Sequence, residues 1–136
     1  MPPRLTFAIS LLAALALVGC AGDGGGIQSQ KMALIKGRGT LNCGVNGQLP
    51  GFSFVGSDGL YSGLDVDICK ATAAAVLGDP AKVTYRDLSA TERFAALGSG
   101  EVDLLSRNTT MTLSRDAPGG NALAFAPTTF FDGQAV

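Results

Sequence analysis

Apolar residues along this chain come in short runs separated by polar, glycine-rich breaks. The longest run, Leu5 to Val18, has small and branched side chains and no periodicity, and it ends at Gly19, Cys20 and the turn-prone Asp23-Gly24-Gly25-Gly26. From Gly22 to about Ile35 no apolar period survives. This predicts a flexible tether with a root-mean-square reach of roughly 20 Å.

After Ile35 the pattern becomes regular. Thr40 to Val45 reads as a strand, followed by the polar loop Asn46 to Gly51. Phe52 to Val55 and Leu60-Tyr61 flank Gly56-Ser57-Asp58-Gly59, the signature of a hairpin. Asp65 stands where an N-cap would open a helix over Val66 to Leu77, with Ile68, Cys69, Ala73, Val76 and Leu77 near one face and Gly78 and Pro80 as the stop. Asp67 then falls in the first turn, where a carboxylate is favourable. Lys82 to Tyr85 is a short strand, and Ser89-Ala90-Thr91-Glu92 spells a capping box. The helix it opens should bury Phe94 and Leu97 and stop at Gly98. Val102 to Leu105 is a third strand, Thr112 caps a short helix through about Asp116, and Ala122 to Ala126, halted by Pro127, reads as a fourth strand.

Strands alternating with helices predict an α/β fold, a mainly parallel sheet with helices on both faces. Ligands of such sheets bind beyond the carboxyl ends of the strands. The loops Asn46 to Gly51 and Arg107 to Thr112 both leave strands at that end, so they can face one another.

The amino terminus bears on where such a site would work. Arg4 and the free amine precede the apolar run, which falls short of the about 20 residues a membrane helix needs. It reads as a cleaved export signal over residues 1–19. The ending Leu17-Val18-Gly19-Cys20 resembles the lipobox of bacterial lipoproteins, which implies a lipid on Cys20 and an anchor in the membrane. The alternative is an ordinary signal cut near Ala21. Either way the protein belongs in the periplasm or on the surface of a bacterial cell envelope.

With Cys20 acylated, Cys43 and Cys69 remain, and in an exported chain an even remainder points to one disulfide. Two buried thiols are the other reading.

Composition narrows the chemistry. The 136 residues are 46% hydrophobic and 15% charged, with net charge -1 and no basic run, which argues against nucleic acid as a partner. There is no histidine, so histidine-based triads and most zinc sites are excluded, and acid or base chemistry would fall to carboxylates. Neither loop carries one. No residue pattern calls for a metal or a cofactor. The stretch Gly100 to Arg115, GEVDLLSRNTTMTLSR, instead lines up hydroxyls, an amide and guanidinium groups, a set suited to a small carboxylate.

Four blocks carry a family likeness: CGVNGQLPGF, GLDVDICKATAAAVLGD, LSATERFAALGSGEVDLLSRNTTMTLSRD and FFDGQ. Together they resemble the family three solute-binding proteins of polar amino acid ABC importers, particularly the general L-amino-acid subgroup. The resemblance implies a type II periplasmic binding protein: two α/β lobes joined by hinge strands, an L-amino acid in the cleft, delivery to an ABC transporter permease, and no catalysis. It implies that Arg115 binds the ligand α-carboxylate, helped by Thr110, with Asn108, Asn46 and Leu49 also lining the pocket. Arg107 is open to a cleft or a solvent-facing role, and Phe52 and Phe54 read as core or cleft wall. By the same likeness residues 37–127 are lobe one, residues 20–36 the lipidated cysteine and tether, and residues 128–136 the start of a hinge crossover. The chain then stops near the point where family members enter lobe two, which leads to the expectation of a truncated form with impaired binding. Some relatives on this fold resemble cyclohexadienyl dehydratases, and a lipoprotein remnant without ligand is a further alternative.

Overall fold

Strand β1, Leu41–Val45, is the spine of the molecule. It pairs in parallel with β5, Val83–Asp87, along its whole length and with β6, Leu104–Leu105, on its other side, giving the order β5-β1-β6. In this computed structural model the described residues are 27–116 and 123–133. The chain divides into a unit of residues 1–30 and one of residues 31–136, and the fold is that of the second.

Alternation along β1 decides what covers each face. Leu41, Cys43 and Val45 point one way and are fully or almost fully buried. Leu41 packs with Ile35 of helix α1, Ile27–Arg38, and with Ala73 of helix α2, Leu64–Leu77. Cys43 and Val45 pack with Cys69 of α2, and Cys43 and Cys69 form a disulfide across a Cα separation of 6.1 Å. That settles the choice between a bridge and two thiols. On the other face Gly44 lies against Leu88, Leu105 and Val102, and Leu88 and Val102 form a small core with Ala96 of helix α3, Arg93–Ser99. Helices thus cover both faces, as the alternating pattern predicts.

A second, antiparallel sheet joins β2, Gln48–Leu49, β3, Ser53–Val55, and β4, Tyr61–Ser62. The hairpin expected around residues 56–59 is therefore present, and the preceding loop contributes a strand of its own. Gly63 turns the chain from β4 into α2 at φ 114°, where a Cβ would meet the Phe52 carbonyl oxygen at 2.4 Å. Only glycine fits there.

Six local expectations need correction. Residues 27–36 are helix, not tether: Ile35 is buried, and Lys31 and Arg38 both pair with Asp103, a carboxylate 2% exposed that also accepts a hydrogen bond from the Asn42 amide at 2.9 Å. This partner is distant in sequence, so the helix leaves no local signature. Gly63, not Asp65, occupies the N-cap of α2, and Asp65 is buried inside the first turn. Helix α3 buries Arg93 and Ala96 and leaves Phe94 and Leu97 partly exposed, and it ends on Gly100 rather than at Gly98. The capping box forms as spelled: the Glu92 amide donates to Ser89 Oγ at 3.2 Å and the Ser89 amide to Glu92 Oε2 at 3.1 Å. The strand expected at Ala122 to Ala126 is absent over its described residues 123–126, and the third strand shrinks to Leu104–Leu105. The short helix after Thr112 is present as α4, Leu113–Asp116. The export signal and Cys20 lie outside the described residues.

Candidate functional site

Because β1 and β6 run parallel, the segments leaving them after Val45 and Leu105 emerge at the same end of the sheet. The sequence-predicted loops are brought to that end, together with Leu88 to Glu92, which follows β5. Leu88 is tied there by its amide to the Val45 carbonyl at 3.0 Å. Ser106 does the same with the Gly44 carbonyl at 2.9 Å.

The loop after β6 is built around arginine. Arg107 donates through Nη1 to the Leu88 carbonyl and through Nη2 to Asn108 Oδ1 at 3.2 Å, so it is a part-buried brace between two loops. Arg93, 8% exposed, reaches the Asn108 carbonyl at 3.4 Å. Arg115 donates to the Thr110 carbonyl at 2.5 Å, so the structure brings Arg115 and Thr110 together. The guanidinium groups of Arg93 and Arg115 both lie over the Phe94 ring, 4.8 and 5.3 Å from its centroid. An aromatic face attracts each cation and holds it without using its hydrogen-bond donors.

Electrostatics follow from this crowding. Burial, then the neighbouring Arg107 and Arg115, pull the Arg93 guanidinium below its usual pKa. Burial does the same to Arg107, opposed by the charge of Asp65. Both stay protonated at neutral pH. Three side-chain donors in this region, Arg93 Nε, Arg107 Nε and Thr109 Oγ1, are buried with no acceptor among the described residues. The loop after β6 is therefore rich in donors.

Asn46 and Leu49 stand on the first loop. The Asn46 amide donates to Ser53 Oγ at 3.0 Å and its side chain is partly exposed; Leu49 is partly buried in β2. Asn108 and Thr110 are exposed. Gly47, at φ 79°, abuts the Asp87 carboxylate, which accepts a hydrogen bond from the Tyr61 hydroxyl at 3.0 Å. Asp87 is a carboxylate at this end that neither loop sequence contains. Phe52 packs edge-on against Phe130, with ring centroids 4.9 Å apart, whereas Phe54 is 42% exposed and not part of the core. Sequence reasoning missed Arg93 and Thr109. Arg93 sits inside a capped helix, where arginine is usually solvated, and only the distant Asn108 carbonyl shows otherwise.

The site is an open surface. Of two hollows on the described surface, one of about 280 Å³ is lined by Arg86, Leu88, Glu92 and Glu101 and one of about 570 Å³ by Leu60, Lys70 and Tyr85, and neither is lined by Asn46, Asn108, Thr110 or Arg115. Among the described residues no cluster of three histidine, cysteine or carboxylate side chains could hold a metal, and no helix is long and apolar enough to cross a membrane.

A parallel sheet covered on both faces, with a polar site beyond its strand ends, defines the α/β class of the type II periplasmic binding proteins. Residues 41–134 match the family of bacterial extracellular solute-binding proteins, family 3, and the chain belongs to that family. It is 57% identical over 99 residues to YhdW of Escherichia coli (strain K12), provisionally named an amino-acid ABC transporter-binding protein, covering 73% of this chain and 28% of that one. It is 52% identical over 100 residues to the general L-amino acid-binding periplasmic protein AapJ of Rhizobium johnstonii, covering 74% and 29%. The chain thus spans less than a third of the length of these relatives. Among solved structures, an ABC transporter periplasmic binding protein from Brucella ovis with glutathione bound aligns at TM-score 0.61 and 54% identity, over 62% of this chain and 26% of that one. A Phe57Trp mutant of the arginine-bound form of domain 1 from TmArgBP aligns at TM-score 0.56 and 28% identity, over 62% and 64%.

Proposed function

We propose that this chain forms the carboxylate-binding lobe of an extracytoplasmic receptor that passes L-amino acids to an ABC permease. The observation that carries this is Arg115, partly exposed on the segment after β6, held beside Thr110 with its guanidinium over the Phe94 ring. A guanidinium matches a ligand α-carboxylate as a two-pronged donor, and the partly exposed Arg115 is placed to present one. Arg115, Thr110 and Asn108 contact the carboxylate end, while Asn46 and Leu49 line the neighbouring wall. The names of YhdW and AapJ support the amino-acid class, and the arginine-bound domain 1 of TmArgBP supports a ligand on a lobe of this kind.

The role is binding rather than catalysis. The residues assigned to the ligand, Arg115, Thr110, Asn108, Asn46 and Leu49, carry no group that exchanges a proton near neutral pH, and the carboxylate at this end, Asp87, accepts the Tyr61 hydroxyl. A dehydratase-like activity would show as turnover of prephenate or arogenate, and none is expected. Residues 1–19 act as the export signal and Cys20 as the lipid anchor, which labelling with palmitate, lost in Cys20→Ala, would establish.

Isothermal titration with a panel of L-amino acids and their decarboxylated amines tests the main reading. Amino acids bind and the amines do not; equal binding of both, or of neither, overturns it.

A further inference from the structure

Asp87, the last residue of β5, is an exposed carboxylate at the end of the sheet where the amino-acid site lies, and none of the contacts assigned to the ligand uses it. Its position is fixed from two sides. The Tyr61 hydroxyl of β4 donates to its Oδ1 at 3.0 Å. Burial, this hydrogen bond and the Asp87 charge raise the Tyr61 pKa, so the hydroxyl remains a donor. On the other side stands Gly47, next in the chain to Asn46, where a Cβ would lie 2.4 Å from the Asp87 carboxyl carbon. The bare backbone at φ 79° therefore lets the carboxylate rest against the loop that carries Asn46.

Asp87 also lacks a cation. Among the described residues no ion pair includes it, and its Oδ2 accepts no hydrogen bond. Its neighbour Arg86 gives Nε to Glu101 at 2.7 Å and Nη1 to the Asp87 backbone carbonyl at 3.0 Å, so that guanidinium is engaged away from the carboxylate. A carboxylate oriented by a neutral donor and open at its second oxygen is suited to a cationic ligand group.

The span across the sheet says which cation. Asp87 stands opposite Val45, and the loop with Asn108 and Thr110 leaves β6 on the other side of β1. Two strand spacings, roughly 10 Å, separate the ends of β5 and β6. In an amino acid held by its carboxylate at Arg115, the α-ammonium is only two bonds from the carboxylate carbon and falls short. A cation at the tip of an extended four-methylene side chain lies roughly 7 Å from that carbon, and a hydrogen bond at each end adds about 2.8 Å. We propose that Asp87 is a specificity-determining residue that receives the terminal ammonium or guanidinium of a long cationic amino acid. The proposal rests on the reading of Arg115 and Thr110 as the α-carboxylate contact, and it adds the class of side chain the site prefers.

The test is an NMR titration of the isotope-labelled chain with lysine, norleucine, arginine, citrulline and 2,4-diaminobutyrate. Lysine is expected to bind roughly fivefold more tightly than norleucine, and arginine than citrulline, the upper range for an exposed ion pair. The Asp87 carboxyl carbon should shift with lysine and not with norleucine. The advantage should shrink as salt is added and be lost in 2,4-diaminobutyrate, whose second cation is too near its carboxylate. Asp87→Asn should bring lysine to the level of norleucine, and Asp87→Lys should favour glutamate over glutamine. Equal binding of lysine and norleucine by the wild type, or a lysine preference that survives Asp87→Asn, overturns the proposal and leaves the amino-acid reading in place. Should the variants fail to fold, the wild-type pairs and the Asp87 carboxyl shift decide by the same criteria. If none of the amino acids binds, both readings fall.

Discussion

Arg115 shows how little a single residue type says until its neighbours are placed. Its spacing from Asn108 and Thr110 is visible in the sequence, and the structure adds that Nη1 grips the Thr110 carbonyl while the guanidinium rests over Phe94. A charge-assisted contact contributes about 1.5–3 kcal/mol. Arg115→Ala should therefore weaken amino-acid binding by roughly 10- to 100-fold, read by isothermal titration, and move the melting temperature little. Asp65 carries the pH prediction. Its folded pKa lies above the unfolded value near 3.8, so the folded state holds the proton more tightly. The stability from that proton is fully present below the unfolded value and is lost as pH rises through the folded one. Urea midpoints measured across the acid range should show this falling component in wild type and lack it in Asp65→Asn. Arg93 and Thr109 were not legible in the sequence, because an unpaired buried donor is defined by what surrounds it.

Elements divide by whether their stabilising partners are local. The capping box of α3 was legible because Ser89 and Glu92 satisfy each other's amides within four residues. Ser89→Ala should cost about 1 kcal/mol in chemical denaturation. Helix α1 was not legible, since its anchors are Ile35 in a core with Leu41 and Ala73 and the convergence of Lys31 and Arg38 on Asp103. Asp103→Asn should free this helix, and limited proteolysis should then cut between Lys31 and Arg38 well before the sheet is attacked. The disulfide lies between these cases: cysteine count pointed to a bridge, and the packing of β1 on α2 made it possible. Cys43→Ser with Cys69→Ser should destabilise the fold by about 3 kcal/mol in the chain-entropy account.

At the scale of the whole molecule, the site is open, and openness limits affinity. Two charge-assisted contacts contribute about 3–6 kcal/mol gross, and association itself costs at least about 4 kcal/mol. With a millimolar complex corresponding to about 4 kcal/mol of binding free energy, the described surface alone should hold an amino acid in the millimolar range or weaker. A submicromolar dissociation constant for the 136-residue chain would contradict this. Enclosure of the ligand from a second side would exclude water from the arginine contacts and strengthen them.

By itself the sequence determined the alternation of strands and helices, the two polar loops, the lack of histidine chemistry and the family likeness. Each of these is a matter of local periodicity, turn chemistry or residue inventory, and none depends on distant contacts. Only the tertiary structure decided that residues 27–36 are helix, that Asp65 is buried rather than capping, and that Arg93, Arg107 and Arg115 share one surface. Burial and charge pairing between remote segments set these outcomes. A pattern along the chain marks which residues can be buried or paired, and the folded geometry selects which of them are.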